Sequence, residues 1–298
     1  MGKIRKVLII ILLLAAFSSG VLVLMDFLAR LQAEREYEKL AEMVQTSEEE
    51  TKEEIQTEET EPEEEEYQSP IDFAMLKSIN SDTVGWIQVP DTPIDYPIVQ
   101  AEDNDRYLHT DFEGNESVGG AIFLDFESDP DLKDYNNILY GHHMKNGSMF
   151  KALVNYKDQE YFEDHPYFTI YTPEEEIFLR VIAAYYGDAD PQARRTRFAT
   201  DEEFNEYVDE MTSKCPYRVE LEGEVESLYS LITCSYEFDD ARTFVYAVPA
   251  DEDGNILYSD SAPSENGDAE RDESGAEEGA SEENITEESA SEAAAPED

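Results

Sequence analysis

Cys234 stands at the end of an apolar run and before a polar loop, a position that suits a partly exposed nucleophile. The run extends from Leu228 to Thr233, and the loop includes Glu237 to Asp240. Arg242 follows at the start of the next apolar segment. If the two segments pair as a hairpin, its guanidinium lies near the sulfur and either favours the thiolate or binds a developing oxyanion. Without that arginine, a single cysteine beside apolar residues indicates an ordinary core position.

Two adjacent histidines, His142 and His143, provide a candidate general acid and base. They follow an apolar segment that ends at Tyr140, and an unperturbed imidazole titrates near pH ~6.5. Adjacent side chains at a strand end point to opposite sides, so we expect one of the two to face Cys234. A surface histidine and half of a metal site are the competing interpretations. The other histidines and the cysteines show no zinc-binding spacing, so no metal site is expected.

The second cysteine and a cluster of arginines allow other roles. Cys215 could form a disulfide with Cys234 outside the cell, which would remove the nucleophile. A buried thiol is the preferred interpretation, because the two cysteines form no regular pattern. Arg194, Arg195 and Arg197 precede a predicted helix. In so acidic a chain we expect surface ion pairs of low energy, with contact to a peptide or to the cell wall as the alternative.

The elements that must position these residues are predicted to be mostly short strands. Turn residues separate apolar or alternating segments, and many short strands at this spacing favour a closed or nearly closed barrel. The predicted strands are 86–89, 96–99, 121–124, 137–140, 167–171, 177–186, 227–234 and 242–248. A short helix is expected from Ser69 and Pro70 to about Ile79. A second helix begins at a capping box formed by Thr200 and Glu203.

The amino terminus is predicted to be a membrane anchor. Val7 to Met25 is a run of nineteen residues without a charge, and at ~1.5 Å per residue a helix of this length covers roughly 28 Å. Small residues within it allow a cleaved signal peptide, but the apolar run continues past them to Leu24 and favours an uncleaved anchor. The apolar run is preceded by three basic residues, Lys3, Arg5 and Lys6, and these favour an amino terminus inside the cell.

The chain carries 72 acidic residues against 21 basic ones, and its formal net charge is −51. This excess argues against nucleic-acid binding through a basic face, because phosphates need clustered Lys and Arg. Residues 48–66 hold twelve acidic side chains against Lys52, and residues 259–298 hold fifteen against Arg271. Both segments have almost no large apolar residues, so we expect an extended acidic tether and a disordered acidic tail.

Several stretches of the chain together resemble the sortases, and most closely class B. They are Asn80 to Ile87, Ile94 to Gln100, Gly120 to Asp125, Leu139 to Phe150, and Thr233 to Phe238 with Arg242. The likeness spans about residues 70–250, and histidine, cysteine and arginine occur in the family's order. The amino-terminal anchor and the helix-bearing insertion before the last two strands are also similar to class B.

The resemblance implies a mainly β protein. Its fold would be an eight-stranded sortase-type barrel with an N-terminal helix and a helix in the insertion, preceded by one transmembrane helix. It implies a cysteine transpeptidase without a metal or other cofactor. Cys234 would attack the carbonyl of a threonine in a C-terminal sorting signal and form a thioester. His142, directly after Gly141, would protonate the leaving amine and deprotonate the incoming one, and Arg242 would stabilise the oxyanion.

The same resemblance implies the partners. The donors would be secreted proteins with a C-terminal sorting signal. The acceptor would be an amine of the peptidoglycan precursor or wall, or a pilin lysine. One departure is Ile232, because the family often has a small hydroxyl residue there. On a strand this position points to the same side as Cys234, so Ile232, with Thr233 and Ser235, is assigned to substrate binding.

The chain is therefore expected to have five parts. They are a cytoplasmic terminus at 1–6, a transmembrane anchor at 7–28, a juxtamembrane helix and acidic tether at 29–67, a sortase catalytic domain at 68–250, and an acidic disordered tail at 251–298. The protein would cross the cell membrane once, with its catalytic domain outside. Two other functions stay open, which are a non-catalytic, membrane-tethered interaction protein and a hydrolytic cysteine peptidase.

Overall fold

The computed structural model describes most of the chain between residues 67 and 259. The described residues are 8–9, 11–14, 16–21, 23–25, 27–28, 35–41, 43, 67–234 and 241–259. All of them belong to one unit of the chain, Met1–Ala262. The predicted acidic tether at 48–66 and most of the predicted tail lie outside the described residues.

In the described part of the chain, nine strands form one sheet that closes into a barrel. They are β1 (Thr83–Gln88), β2 (Asp95–Val99), β3 (Ile122–Leu124), β4 (Asn136–Tyr140), β5 (Tyr167–Tyr171), β6 (Glu176–Asp188), β7 (Tyr217–Arg218), β8 (Leu228–Cys234) and β9 (Ala241–Pro249). Their order is β5-β1-β2-β3-β4-β8-β9-β6, and a further pairing of β5 with β6 closes this ring of eight. The short β7 pairs with β6 outside the ring. The prediction of an eight-stranded barrel is confirmed.

Each of the eight predicted strands overlaps an observed strand. The largest difference is at β1, which begins at Thr83, three residues before the predicted start. Thr83 is buried although it is polar, and its hydroxyl donates to the carbonyl of Asn80 at 2.7 Å. A buried and hydrogen-bonded threonine extends the strand where an apolar pattern does not show it.

Within the described residues from 67 to 259, four α-helices and two 3₁₀ helices precede or connect the strands. They are α1 (Phe73–Ile79), α2 (Arg106–His109), the first 3₁₀ helix (Phe150–Lys157), α3 (Gln159–Asp164), the second 3₁₀ helix (Pro191–Arg194) and α4 (Asp201–Ser213). The helix in the insertion, α4, is confirmed, and the hydroxyl of Thr200 accepts from the amide of Glu203 at 3.1 Å. The first helix is also confirmed, but its predicted start is wrong. Asp72, rather than Ser69, caps α1 by accepting from the amide of Met75 at 2.8 Å.

Successive side chains of β8 and β9 point alternately into two different apolar cores. Leu231 and Val245 belong to the core that also contains Trp86. Ile232 and Phe244 belong to a second core, to which α4 contributes its apolar side. The helix residues in this second core are Phe204, Tyr207, Val208 and Met211. The insertion therefore covers the outer face of the two strands that carry the predicted cysteine and arginine.

The described residues before position 44 are helical. Among the described residues, none of the helices combines the length and the apolar character that crossing a membrane requires. The predicted span at 7–28 stays a prediction. The helical segment at residues 35–41, which we call the N-terminal segment, packs Tyr37 and Leu40 into the same core as Trp86.

Backbone pairing continues beyond the end of β9. Ala250 pairs with Ile256, and the amide of Leu257 donates to the carbonyl of Pro249 at 2.9 Å. The amide of Ser259 donates to the carbonyl of Glu224 at 2.8 Å. Residues 250–259 are thus bonded to the body of the barrel.

We expect Thr200→Ala to lower the free energy of unfolding by about 1 kcal/mol, because α4 loses its capping hydrogen bond. Urea denaturation followed by circular dichroism measures this change. Ser213→Ala, at the other end of α4, is the matched control and should leave stability within ~0.5 kcal/mol of wild type. Equal effects of the two substitutions would contradict the capping role of Thr200.

Candidate active site

β8 lies between β4 and β9 and brings three strand ends together. It pairs with β9 in antiparallel register, with Cys234 opposite Arg242. It pairs with β4 in parallel, and beyond β4 the amide of Gly141 donates to the carbonyl of Ile232 at 3.2 Å. The segment that carries His142 therefore leaves β4 at the end of the sheet where Cys234 ends β8 and Arg242 enters β9.

A cleft of about 480 Å³ opens at this end of the barrel. Four of the predicted site residues line it, which are His142, Ile232, Thr233 and Arg242. Its apolar lining also includes Leu108, Phe123 and Phe244. Cys234 is described as the last residue of β8, two positions beyond Ile232, and Ser235 lies outside the described residues. The cleft has the mixture of apolar wall and few polar groups that is typical of a binding site.

His142 is half-buried and held by one ring nitrogen. Its Nε2 lies 2.8 Å from the carbonyl oxygen of Leu108. A carbonyl oxygen only accepts, so Nε2 carries a hydrogen and Nδ1 is the atom that gains or loses the exchangeable proton. The neighbouring His143 instead pairs with Met149 in an isolated bridge. Of the two adjacent histidines, His142 is the one that lines the cleft.

Two glycines allow other segments to pack closely around His142. Gly120 has φ +57°, and a Cβ at this position would lie 3.2 Å from His142 Cδ2. A Cβ on Gly141 would lie 2.5 Å from Ile122 Cδ1 and 2.7 Å from Phe150 Cγ. Larger residues at either position would displace the segment that carries His142.

Arg194 takes part in a buried polar network rather than in a simple surface pair. Its guanidinium lies 3.1 Å from the Asp125 carboxylate and donates to the hydroxyl of Tyr140 at 2.9 Å. That hydroxyl and the side-chain amide of Asn104 also donate to Asp125, at 2.8 and 2.9 Å. Asp125 is 1% exposed, so these donors supply the hydrogen bonds that its carboxylate oxygens cannot obtain from water. The expectation of a weak surface pair is wrong for Arg194, because its partner is buried.

This network forms one wall of the cleft. Asn104, Tyr140 and Arg194 all line the cleft beside His142. Burial, and then the charge of Asp125, raise the pKa of Tyr140 well above its usual range, so the hydroxyl stays protonated and keeps donating. The four residues come from separate segments; the sequence singles out Arg194 and places the Asp125 carboxylate directly after an apolar segment, but it does not pair them.

Arg195 and Arg197, unlike Arg194, are not among the residues that line the cleft. Arg195 pairs with Glu203, and its guanidinium carbon lies 4.3 Å from the ring centroid of Phe198. Both members of the pair are more than one third exposed, which confirms a surface ion pair for Arg195. Arg197 accepts, through its carbonyl, a hydrogen bond from Arg195 Nε at 3.2 Å.

Cys215 is a free, buried thiol. It packs in the core beneath α4, and its sulfur lies 3.7 Å from the carbonyl oxygen of Met211. Burial raises the pKa of this thiol to about 12. Cys215 is free in the structure, so the alternative of a disulfide between Cys215 and Cys234 is not supported. Within the described residues, no group of three or more His, Cys, Asp or Glu side chains is arranged to hold a metal ion.

Comparison with known proteins identifies the family. A family description named "Sortase domain" matches residues 87–250. The chain belongs to the sortase family. It is 34% identical over 166 residues to Sortase B of Listeria monocytogenes, which covers 55% of this chain and 67% of that protein. The chain is a class B sortase-type cysteine transpeptidase.

Solved sortase structures agree with the fold. The Staphylococcus aureus sortase B–substrate complex superposes with a TM-score of 0.63 at 29% identity and covers 76% of this chain and 99% of that one. A sortase B complexed with triglycine superposes with a TM-score of 0.62 at 29% identity and covers 75% and 99%. The sortase barrel thus extends across the described strands.

Arg194→Gln should lower the free energy of unfolding by about 1–2 kcal/mol, because it leaves a buried carboxylate with fewer charged donors. Arg218→Gln is the matched control, since Arg218 pairs with the exposed Glu220, and it should change stability by less than ~0.5 kcal/mol. Chemical denaturation of both variants provides the comparison. If the two substitutions lower the free energy of unfolding equally, the Asp125 network does not stabilise this wall of the cleft.

The Cys234→Ser protein should resist alkylation by iodoacetamide at pH 8 in the folded state. With a pKa of about 12, the Cys215 thiol is about one part in 10⁴ thiolate at that pH. Intact-mass spectrometry should find no adduct on the folded variant and one adduct after unfolding in urea. Rapid modification of the folded variant would show that Cys215 is more accessible than its burial indicates.

Proposed function

We propose that this sortase uses Cys234 as its nucleophile, His142 as its acid and base, and Arg242 as its oxyanion stabiliser. One observation carries the proposal, namely the register of β8 and β9 that pairs Cys234 with Arg242. His142 supports it by lining the same cleft as Arg242. Acyl transfer through a thioester needs a nucleophile, a proton carrier and an oxyanion donor, and these three residues supply them.

The first half-reaction cleaves a C-terminal sorting signal after its threonine. The Cys234 thiolate attacks the threonine carbonyl carbon, and the developing negative charge on the oxygen is bound by the Arg242 guanidinium. Collapse of this intermediate breaks the C–N bond. His142 gives its proton to the nitrogen of the leaving tail. The donor protein is then held as a thioester on Cys234.

The second half-reaction transfers the acyl group to an amine. His142, now neutral, takes a proton from the incoming amine as this attacks the thioester carbonyl. The C–S bond breaks, the thiolate is restored, and an amide bond replaces the one that was cleaved. The acceptor is an amine of the peptidoglycan precursor or wall, or a pilin lysine. The sortase B solved with triglycine supports a short peptide amine in this role.

Substrate binding is assigned to residues close to the nucleophile in sequence, which are Ile232, Thr233 and Ser235. Ile232 lines the cleft with Phe244 and gives it an apolar floor. Thr233 also lines the cleft, and its hydroxyl is buried without a hydrogen-bond partner within the described part of the chain. Ser235, the residue after the nucleophile, completes this set. The substrate complex of the Staphylococcus aureus relative supports substrate binding by the same fold.

The enzyme is proposed to be anchored in the cell membrane by residues 7–28. The described apolar side chains of this segment are exposed, as a lipid-facing helix requires, and they include Leu12, Leu13, Leu14, Phe17 and Val23. Residues 29–67 would link the anchor to a catalytic domain at 68–250 outside the cell. The acidic tail at 251–298 would begin with the segment 251–259 that hydrogen-bonds to the domain.

The test is to mix the full-length protein with a panel of sorting-type peptides, with and without triglycine as the amine. Intact-mass spectrometry should find an acyl adduct on wild type and on the matched control Cys215→Ala, but not on Cys234→Ala. Added amine should convert the adduct into a ligated peptide. His142→Ala and Arg242→Ala should each lower kcat/KM for ligation by at least about 10²-fold.

Three results would contradict this function. If no peptide forms an adduct with the folded wild-type protein, the catalytic assignment of Cys234 fails. If the adduct forms but yields free acid even with abundant amine, the chain is a hydrolytic cysteine peptidase. A retained adduct on Cys234→Ala would place the nucleophile elsewhere.

A further inference from the structure

The hydroxyl of Tyr37 bonds the N-terminal segment to the body of the barrel. It donates to the carbonyl of Gly120 at 2.9 Å and accepts from the amide of Phe112 at 3.3 Å. Tyr37 is 6% exposed, so both bonds are shielded from water. Burial raises the pKa of this hydroxyl above its usual range, which keeps it protonated as a donor at neutral pH.

Gly120 is in turn a direct neighbour of the His142 ring. A Cβ on Gly120 would lie 3.2 Å from His142 Cδ2 and 3.2 Å from the carbonyl oxygen of Leu108. That carbonyl is the same one that binds His142 Nε2. A shift of Gly120 would therefore disturb both the imidazole and the group that orients it.

A second contact from Tyr37 reaches the loop that follows His142. The Tyr37 ring meets the Tyr96 ring edge to face, with centroids 5.3 Å apart. The Tyr96 hydroxyl accepts from the amide of Met149 at 3.1 Å. The next residue, Phe150, donates its amide to the carbonyl of His142 at 3.0 Å. Tyr37 thus supports the two backbone segments that lie on either side of the histidine.

We propose that Tyr37 is a positioning residue for His142, acting through Gly120 and Tyr96. The inference rests on the proposed function, which gives His142 its role in proton transfer. Tyr37 lines no part of the cleft that holds His142 and Arg242, so it acts only by holding the segments around the histidine. The N-terminal segment, between the predicted anchor and the barrel, then contributes to catalysis by holding the backbone around His142 in place.

Loss of the hydroxyl should slow the chemical step more than it weakens peptide binding. In Tyr37→Phe the ring and its contact with Tyr96 remain, but Gly120 loses its donor. We expect kcat for ligation to fall about tenfold and KM to change by less than about twofold, because misplaced proton donors cost rate more than affinity. Tyr37→Leu, which also removes the ring, should lower kcat at least as much.

Tyr156→Phe is the matched control. Tyr156 is 1% exposed, and its hydroxyl donates to the carbonyl of His165 at 2.8 Å. Both Phe variants therefore lose a buried hydroxyl-to-carbonyl bond, and Tyr37→Phe also loses the longer bond from the Phe112 amide. Each should lower the free energy of unfolding by about 1–2 kcal/mol. The experiment measures ligation kinetics of the full-length proteins well below their melting temperatures. It also records the His142 Hε1 resonance, assigned by its absence in His142→Ala.

The inference requires that Tyr37→Phe lowers kcat for ligation and shifts the Hε1 resonance of His142. Tyr156→Phe should change neither. If the two Phe variants have the same kinetics and the same His142 resonance, Tyr37 has a structural role alone and the inference is overturned. If His142→Ala ligates peptides at the wild-type rate, the proposed function itself fails. The behaviour of His142→Ala therefore separates failure of the inference from failure of the function.

Discussion

The position of β8 between a parallel and an antiparallel neighbour is the constraint on which the cleft depends. The register of β8 with β4 determines where along β8 the segment that carries His142 leaves the sheet. The register of β8 with β9 determines which residue lies opposite Cys234. A slip of one residue would turn every side chain of β8 to the other face. Because Leu231 and Val245 are buried in the core with Trp86, their burial opposes any slip and maintains the pairing of Cys234 with Arg242.

The walls of the cleft depend on contacts between segments that are distant in the chain. Arg194, in the insertion, reaches the Asp125 carboxylate at the end of β3, and this bond holds the insertion against the barrel. On the other side, Tyr37 bonds the N-terminal segment to Gly120. In both places a buried polar group is satisfied by a residue from an added segment, so the barrel and its additions stabilise one another.

Local patterns in the sequence predicted the elements that hydrophobic burial controls. The strands β8 and β9 and the helix α4 follow from apolar periodicity and one capping box. The role of Arg194 did not follow, because Asp125 lies 69 residues away and no local pattern records such a pair. Which of the two adjacent histidines faces the cleft also could not be decided from local patterns. In the structure, His143 pairs with Met149 instead. The resemblance to sortases supplied the assignment of His142 that periodicity left open.

The roles of Cys234, His142 and Arg242 can be tested by a crystal structure of the protein trapped as a thioester with a sorting-type peptide. Continuous density is expected from Cys234 into the cleft between the Asp125 network and β8. It also predicts that the acyl carbonyl oxygen lies about 3 Å from the Arg242 guanidinium, with His142 beside the acyl group. A peptide bound elsewhere, or an acyl oxygen directed away from Arg242, would contradict the assignment of these three residues.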